Sequence, residues 1–399
     1  EGVLKMCRRL SLDELQTNHA AVLAKTPRTN ETSKTPSAAT TKLPVRTMET
    51  DADSMICAAR FWLLFVGILG FRNATAGSVW FALISLPLLA QIVTLVYFTA
   101  RGQADFHHTG ITLCYMVGST LASWSMRQAE IHLLLGHENG GLEDYARKLG
   151  FLKDWRSVSR RRMQEVLCVL VLMLASRWLC FGSVEQRLDT SLLTSIFFSS
   201  AGVSCTAVVY AQLHLVAGMD LAIDSFSISF FKEMDVEQAL DEWNTVQATL
   251  RQVSTKLSYS LVALGGSCGA ALLLLAELVF FHPESPVMTQ SALQMAFFLG
   301  WLFPPVLLFL YAMMRAAAVT EKASRVAPLV NSWTFVDHED DHSPAWMDLG
   351  RQYIVQYMNQ SEAGFYLQGV KLNVFQVTKL SYYFAAFIFA VLSKTTQAV

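Results

Sequence analysis

Apolar and polar positions alternate on two length scales along this chain. Apolar windows of about 20 residues, the span of a bilayer core, recur at roughly 77–99, 109–126, 163–182, 192–216, 257–281, 292–314 and 372–393. Each reads as a transmembrane helix. Shorter periodicities lie between them: Leu240, Trp243, Val246 and Leu250 share one helical face just ahead of the fifth window. The pattern predicts that the fourth, fifth and sixth helices continue beyond the membrane and pack there. Ahead of the first window, "ICAARFWLLFVGILGF" (Ile56–Phe71) is apolar but short and interrupted by Arg60. Residues 56–76 are therefore expected as an interfacial helix, or as an extension of the first span. Residues 1–55 are rich in Thr, Ser, Lys and Pro and are expected to be disordered. Residues 77–399 then form one seven-helix domain.

Composition agrees with this class. Of 399 residues, 53% are apolar and only 16% are charged. The expected fold is all-α: a polytopic membrane protein with seven transmembrane helices. Lysine and arginine set its orientation, because they concentrate on the cytoplasmic side. Segments 1–76, 127–162, 217–256 and 315–370 carry 25 of them, whereas the opposite side carries 3. The N-terminus is predicted inside and the C-terminus outside. That orientation is opposite to a G-protein-coupled receptor, whose Asp-Arg-Tyr and Asn-Pro-x-x-Tyr signatures are also absent.

Loop lengths carry the next inference. The three outer loops have 9, 9 and 10 residues, and the inner ones 36, 40 and 56. An external ligand must then bind within the helix bundle, while subunits assemble through inner helical extensions. Sequons at Asn30, Asn73 and Asn359 fall on the inner side and are expected to stay unglycosylated. Seven scattered cysteines show no metal-ligand spacing and read as free, mostly buried thiols.

The last window ends in "KLSYYFAAFIFAVLSK" (Lys379–Lys394). Asn373, Gln376, Lys379, Tyr383, Phe387, Val391 and Lys394 recur every three or four residues, polar at both ends and apolar between. A hydrophobic constriction with polar approaches suits a channel that gates by dewetting. The same stripe also suits a helix with snorkelling lysines and core aromatics.

The remaining polar groups bear on chemistry. A membrane hydrolase needs His and carboxylates clustered within the spans. His107 and His108 stand together at the outer start of the second window, but no Asp or Glu lies in the second, fourth or sixth. An enzyme is not expected, nor any cofactor or metal. Arg177 and Glu277 near outer helix ends are expected to snorkel or to pair with one another. His214, Asp220 and Asp224 are expected in a solvated or inter-subunit role, and "HEDDH" (His338–His342) in a solvated loop. Phosphate-binding glycine loops are absent, and no nucleic acid is expected. "LGGSCGA" (Leu264–Ala270) reads as small residues for close helix packing. A secondary transporter would show two related halves with broken spans, and only "WLFPP" (Trp301–Pro305) qualifies.

The stretch "GFYLQGVKLNVFQVTKLSYYFAAFIFAVLSK" (Gly364–Lys394) resembles the C-terminal signature of insect odorant receptors. That family ends in a Gly-Phe-type pair, a Leu-x-x-Phe step, a lysine, then Ser-Tyr or Ser-Phe. Gly364 and Phe365, Leu372 and Phe375, Lys379, Ser381 and Tyr382 stand at those places. "AAAVTEKASRVAPLVNSW" (Ala316–Trp333) is similar to a stretch of the sister gustatory receptors, whose Thr-Tyr…Gln-Phe ending is missing. The resemblance implies a tetrameric, ligand-gated, non-selective cation channel needing no G protein. It would be a homotetramer, or a heterotetramer with the odorant coreceptor, in the lipid of a sensory-dendrite plasma membrane. The last helix would line the pore, with Phe387, Ile388 and Val391 as gate, Tyr383 below and Lys394 above it. Lys379 and Lys394 would repel cations there unless they turn to headgroups or carboxylates. A small volatile ligand would bind between the outer halves of the helices. The residues expected around it are Tyr115, Met116, Trp178, Phe181, Phe197, Phe198, Met295, Phe297, Phe298 and Trp301. A gustatory channel gated by a sugar or another tastant is the neighbouring reading.

Overall fold

A computed structural model describes residues 54–55, 57–69, 79, 89–97, 99–101, 106–131, 141–183, 188–233, 236–282, 292–332, 349–361 and 363–398. Its helices are α1 (Cys57–Phe65), α2 (Phe106–Gln128), α3 (Leu142–Leu149), α4 (Leu152–Ser183), α5 (Leu188–Glu233), α6 (Val236–Phe281), α7 (Ala292–Ser332), α8 (Leu349–Gln360) and α9 (Val374–Ala398). Residues 89–97 are also helical, within the first apolar window, most of which lies outside the described residues. So do residues 1–50 and the "HEDDH" stretch.

Three of these helices greatly exceed a bilayer. α5 and α6 have 46 residues each and α7 has 41. At 1.5 Å per residue they run about 60–70 Å, twice the ~30 Å hydrocarbon thickness. Among the described residues, four helices are long and apolar enough to cross a membrane: α5, α6, α7 and α9. The chain is a multi-pass membrane protein. The predicted continuation of the fourth, fifth and sixth spans is present as these long helices.

Their overhanging halves have a core of their own. At the end that the charge pattern assigns to the inside, Trp155, Tyr210, Phe226, Trp243, Val246 and Leu250 are all buried in one cluster. Trp243, Val246 and Leu250 thus face inward as their spacing predicted, with Leu240 half-buried at the edge. His214 is a core residue here, against expectation: its ring stacks on Trp155 at 4.6 Å and 15°. Its nitrogens lie 2.8 Å from Ser159 Oγ and 3.3 Å from Ser54 Oγ, so the polar ring is satisfied without solvent. Asp220 and Asp224 likewise find an intramolecular partner, since Lys322 Nζ donates to both at 2.7 Å. Lys322 stands eight residues past the apolar window of α7. Burial disfavours its ammonium, but the two carboxylates outweigh that and hold its pKa above the ordinary lysine value.

Before the last helix the chain makes a feature that hydropathy did not reveal. Tyr366–Leu367 and Val370–Lys371 pair antiparallel through a two-residue turn. Gln368 and Gly369 both take positive φ, 51° and 83°, the turn geometry that matches strand twist. The hairpin is clamped between two helices. Ser254 Oγ on α6 accepts from Tyr366 N–H at 2.6 Å and donates to its carbonyl at 2.9 Å. Ser258 Oγ accepts from Gln368 N–H at 3.1 Å, and Thr320 Oγ1 on α7 accepts from Phe365 N–H at 2.8 Å. α9 then starts with an N-cap, Asn373 Oδ1 accepting from Gln376 N–H at 2.8 Å. The hairpin therefore fixes where the last helix leaves the bundle.

Small residues in "LGGSCGA" divide by face. A Cβ on Gly118 of α2 would lie 2.2 Å from Ser267 Cβ, and one on Gly265 would lie 2.8 Å from the Phe309 ring. Gly266 and Gly269 have nothing within 4 Å. Close packing, as expected, involves half of the motif. The cysteines differ more: Cys205 and Cys268 are buried, but Cys57 and Cys168 are exposed.

Candidate functional site

A second cluster fills the other end of the bundle. Tyr115 from α2, Phe198 from α5 and Met295, Phe298 and Trp301 from α7 are all buried within it. Ring contacts knit it together: Phe198 meets Trp301 edge-on at 4.8 Å, and Phe298 meets Trp301 at 5.4 Å and 85°. Met116 and Phe197 are buried in a smaller neighbouring cluster with Leu95 and Ala201. Phe297 is half-buried, and Trp178 is 42% exposed and turns to the outside of the bundle. The side chain of Phe181 lies outside the described residues. Five of the ten expected ligand-site residues thus converge on one place.

Polar groups join this cluster that the sequence reading assigned elsewhere. Arg177 on α4 is only 5% exposed, so it does not snorkel. Its guanidinium lies over the Trp301 ring at 4.6 Å and near Phe198 at 5.9 Å. Its Nη1 is 3.3 Å from His108 Nδ1, and the His108 ring packs edge-on against Phe298 at 4.9 Å. Glu277 lies instead beside His282, 3.9 Å away. An arginine three-quarters of the way along an apolar helix was the available signal; only packing shows which aromatic it covers. The Trp301 indole N–H is buried and makes no hydrogen bond among the described residues.

Two prolines shape the same region. α7 stays helical through Pro304 and Pro305, which cannot donate to the carbonyls of Gly300 and Trp301. Beside them, Tyr115 O–H donates to the Leu302 carbonyl at 2.6 Å. A phenol from α2 thereby ties down α7 where its own ladder is weakest.

α9 packs on the bundle by one narrow face. Val391 is fully buried and Phe384 is 8% exposed, both in the aromatic cluster's outer shell, with Phe387 and Ile388 half-buried on its flank. The opposite face is open: Phe375 is 75%, Tyr382 71%, Tyr383 57% and Phe389 73% exposed. Gln376, Lys379, Ala386, Ala390 and Lys394 share it, and Lys379 Nζ sits 5.9 Å from the Tyr383 ring. Of the pore and gate residues expected from sequence, Tyr383 and Lys394 are on the open side, and Val391 faces the core of the helix bundle.

Neither a protein-family profile nor a curated protein sequence matches the chain. Solved structures do. The insect olfactory receptor OR5 from Machilis hrabei superposes with a TM-score of 0.53 at 12% identity, over 86% of this chain and 98% of that one. The same receptor in complex with eugenol gives 0.51, at the same identity and coverage. Both are olfactory receptors rather than enzymes. With its long overhanging helices and its exposed last helix, the chain has the fold of the insect olfactory receptors.

Proposed function

We propose that this protein is a subunit of an odorant-gated, non-selective cation channel in which four copies surround a pore lined by α9. One observation carries the reading: the open face of α9. Only 17% of its apolar window is buried in the protomer, against 78% for α5. That face also mixes aromatic residues with Gln376, Lys379 and the tyrosine hydroxyls, which lipid alone would leave unsatisfied. Surrounding four such faces around an axis would give each a partly aqueous environment. The ring would then be formed by Tyr383, Ala386, Phe389 and Ala390, with Phe387 and Ile388 beside it. Val391 would hold α9 to its own subunit.

The ligand site is the buried aromatic cluster. Its wall of rings suits a small volatile molecule, and the Arg177 guanidinium and Trp301 N–H add donors for one oxygen acceptor. Capture of eugenol by the olfactory receptor of the same fold supports that class. The cell would carry it in the plasma membrane of sensory dendrites, alone or with the coreceptor.

The test is whole-cell current from cells expressing the chain alone and with the odorant coreceptor, during an odorant panel with G-protein signalling blocked. The expected result is a rapid current that reverses close to zero voltage. Phe389→Ala should change its conductance or ion selectivity, whereas Val391→Ala should lower surface expression and leave permeation unchanged. Confirmed surface expression with no current under either condition would overturn the channel reading. A permeation change confined to Val391→Ala would overturn the assignment of the face.

A further inference from the structure

Three potential metal ligands meet where α2 begins and α6 ends. His107 is the second residue of α2, Glu277 lies in the last turn but one of α6, and His282 follows its final residue. One donor atom from each lies within 4.8 Å of the others. His282 Nε2 is 3.9 Å from Glu277 Oε1, and the His107 and His282 rings are 5.4 Å apart at 58°. The sequence hides this group, since 170 positions separate His107 from Glu277. His282 reaches it because its N–H still donates to the Leu278 carbonyl at 3.2 Å, carrying the ring around onto the Glu277 side.

We propose that His107, Glu277 and His282 form a binding site for a divalent transition-metal ion of the zinc class. Two imidazoles and one carboxylate are a ligand set that zinc takes with water in the fourth position. Bonds of about 2.0–2.2 Å to a common ion require donors roughly 3–3.5 Å apart. The donors stand within 4.8 Å of one another, so a bound ion would draw them together by roughly 1 Å. Glu277 is 44% and His282 54% exposed, so both can turn and an ion can enter from solvent. His107 is half-buried. The other divalent class fits poorly: calcium and magnesium favour all-oxygen shells, and this site offers one carboxylate among imidazoles.

An ion here would pin α2 to α6 at the end of the bundle that holds the aromatic cluster. The next residue, His108, already packs against Phe298 and Trp301 of that cluster. Zinc would therefore stiffen the wall of the candidate ligand site. Binding itself does not depend on the channel reading.

Zinc alone is the probe. The purified full chain in detergent is dialysed against buffered zinc, and bound metal is counted per chain by mass spectrometry. One zinc per chain is expected, with the dissociation constant raised at least about tenfold in His107→Ala, Glu277→Gln and His282→Ala, since even loss of a group that only orients a ligand costs about 10–100-fold. The His338→Ala/His342→Ala double variant should bind as the parent does. His282→Cys should restore binding, now with cadmium preferred, which a merely misfolded variant cannot do. Equal zinc on the parent and on His107→Ala/His282→Ala would overturn the site, as would loss of zinc in the His338→Ala/His342→Ala variant alone.

Discussion

Gly118→Ala should push two membrane helices apart. A methyl at Gly118 of α2 would lie 2.1 Å from Ser267 Oγ, 2.2 Å from Ser267 Cβ and 3.3 Å from the Ala263 carbonyl oxygen of α6. Ordinary carbon–carbon contact is about 3.5–4.0 Å, so relief needs roughly 1.5 Å of movement. Ser267 Cβ cannot rotate away, and its hydroxyl is engaged with the Leu264 carbonyl at 2.8 Å. Overpacking of this kind costs about 1–3 kcal/mol. Alanine returns up to ~1 kcal/mol of helix propensity. Gly266 and Gly269 on the partner helix α6 isolate that second effect, since nothing lies within 4 Å of either. Gly266→Ala and Gly269→Ala should therefore be neutral or stabilising. The assay is thermal unfolding of the detergent-solubilised full chain, followed by size-exclusion fluorescence. Gly118→Ala should melt below the parent and Gly269→Ala at or above it. Adding Ser267→Gly to Gly118→Ala should recover most of the loss, the signature of direct contact. A Gly118→Ala variant that melts with Gly269→Ala would refute the close crossing of α2 and α6.

Further outcomes follow from other contacts. Tyr115→Phe removes the 2.6 Å hydrogen bond to the Leu302 carbonyl, which stays within the α7 ladder; it should cost about 0.5–1.5 kcal/mol and shift odorant dose–response curves, seen by melting and by current recording. Lys322→Met takes the 2.7 Å partner from both Asp220 and Asp224 and leaves Arg315 3.7 Å from Asp220. With both carboxylates partly exposed, it should destabilise by about 1 kcal/mol, partly restored by adding Asp220→Asn and Asp224→Asn, both read by melting. Gly364→Ala would set a Cβ 2.7 Å from Thr320 Cγ2 and 3.0 Å from Lys371 Cε. The displaced hairpin should cost about 1–3 kcal/mol and reduce assembled protein on native gels, while Gly369→Asn, at a positive-φ turn position that asparagine tolerates, should do so far less.

Periodicity along the chain determined where the helices lie. Windows of apolar residues located α2, α4, α5, α6, α7 and α9 because a hydrocarbon layer demands contiguous apolar helix. The spacing of Trp243, Val246 and Leu250 marked an inward face because a helix repeats every 3.6 residues. The resemblance at the C-terminus pointed to the fold that the olfactory receptor structures share. Tertiary structure decided which side each residue faces and what it meets. Val391 and Phe389 are both apolar residues of α9 and sit two positions apart, yet one is fully buried and the other 73% exposed. Arg177 was expected to snorkel or to pair with Glu277 and His214 to be solvated or inter-subunit, yet Arg177 lies over the Trp301 ring of α7 and His214 stacks on Trp155 of α4. His107, Glu277 and His282 are far apart in sequence and carry no motif spacing. Pattern along a chain reports the solvent of each segment; contacts between distant segments come from packing, which no local period encodes.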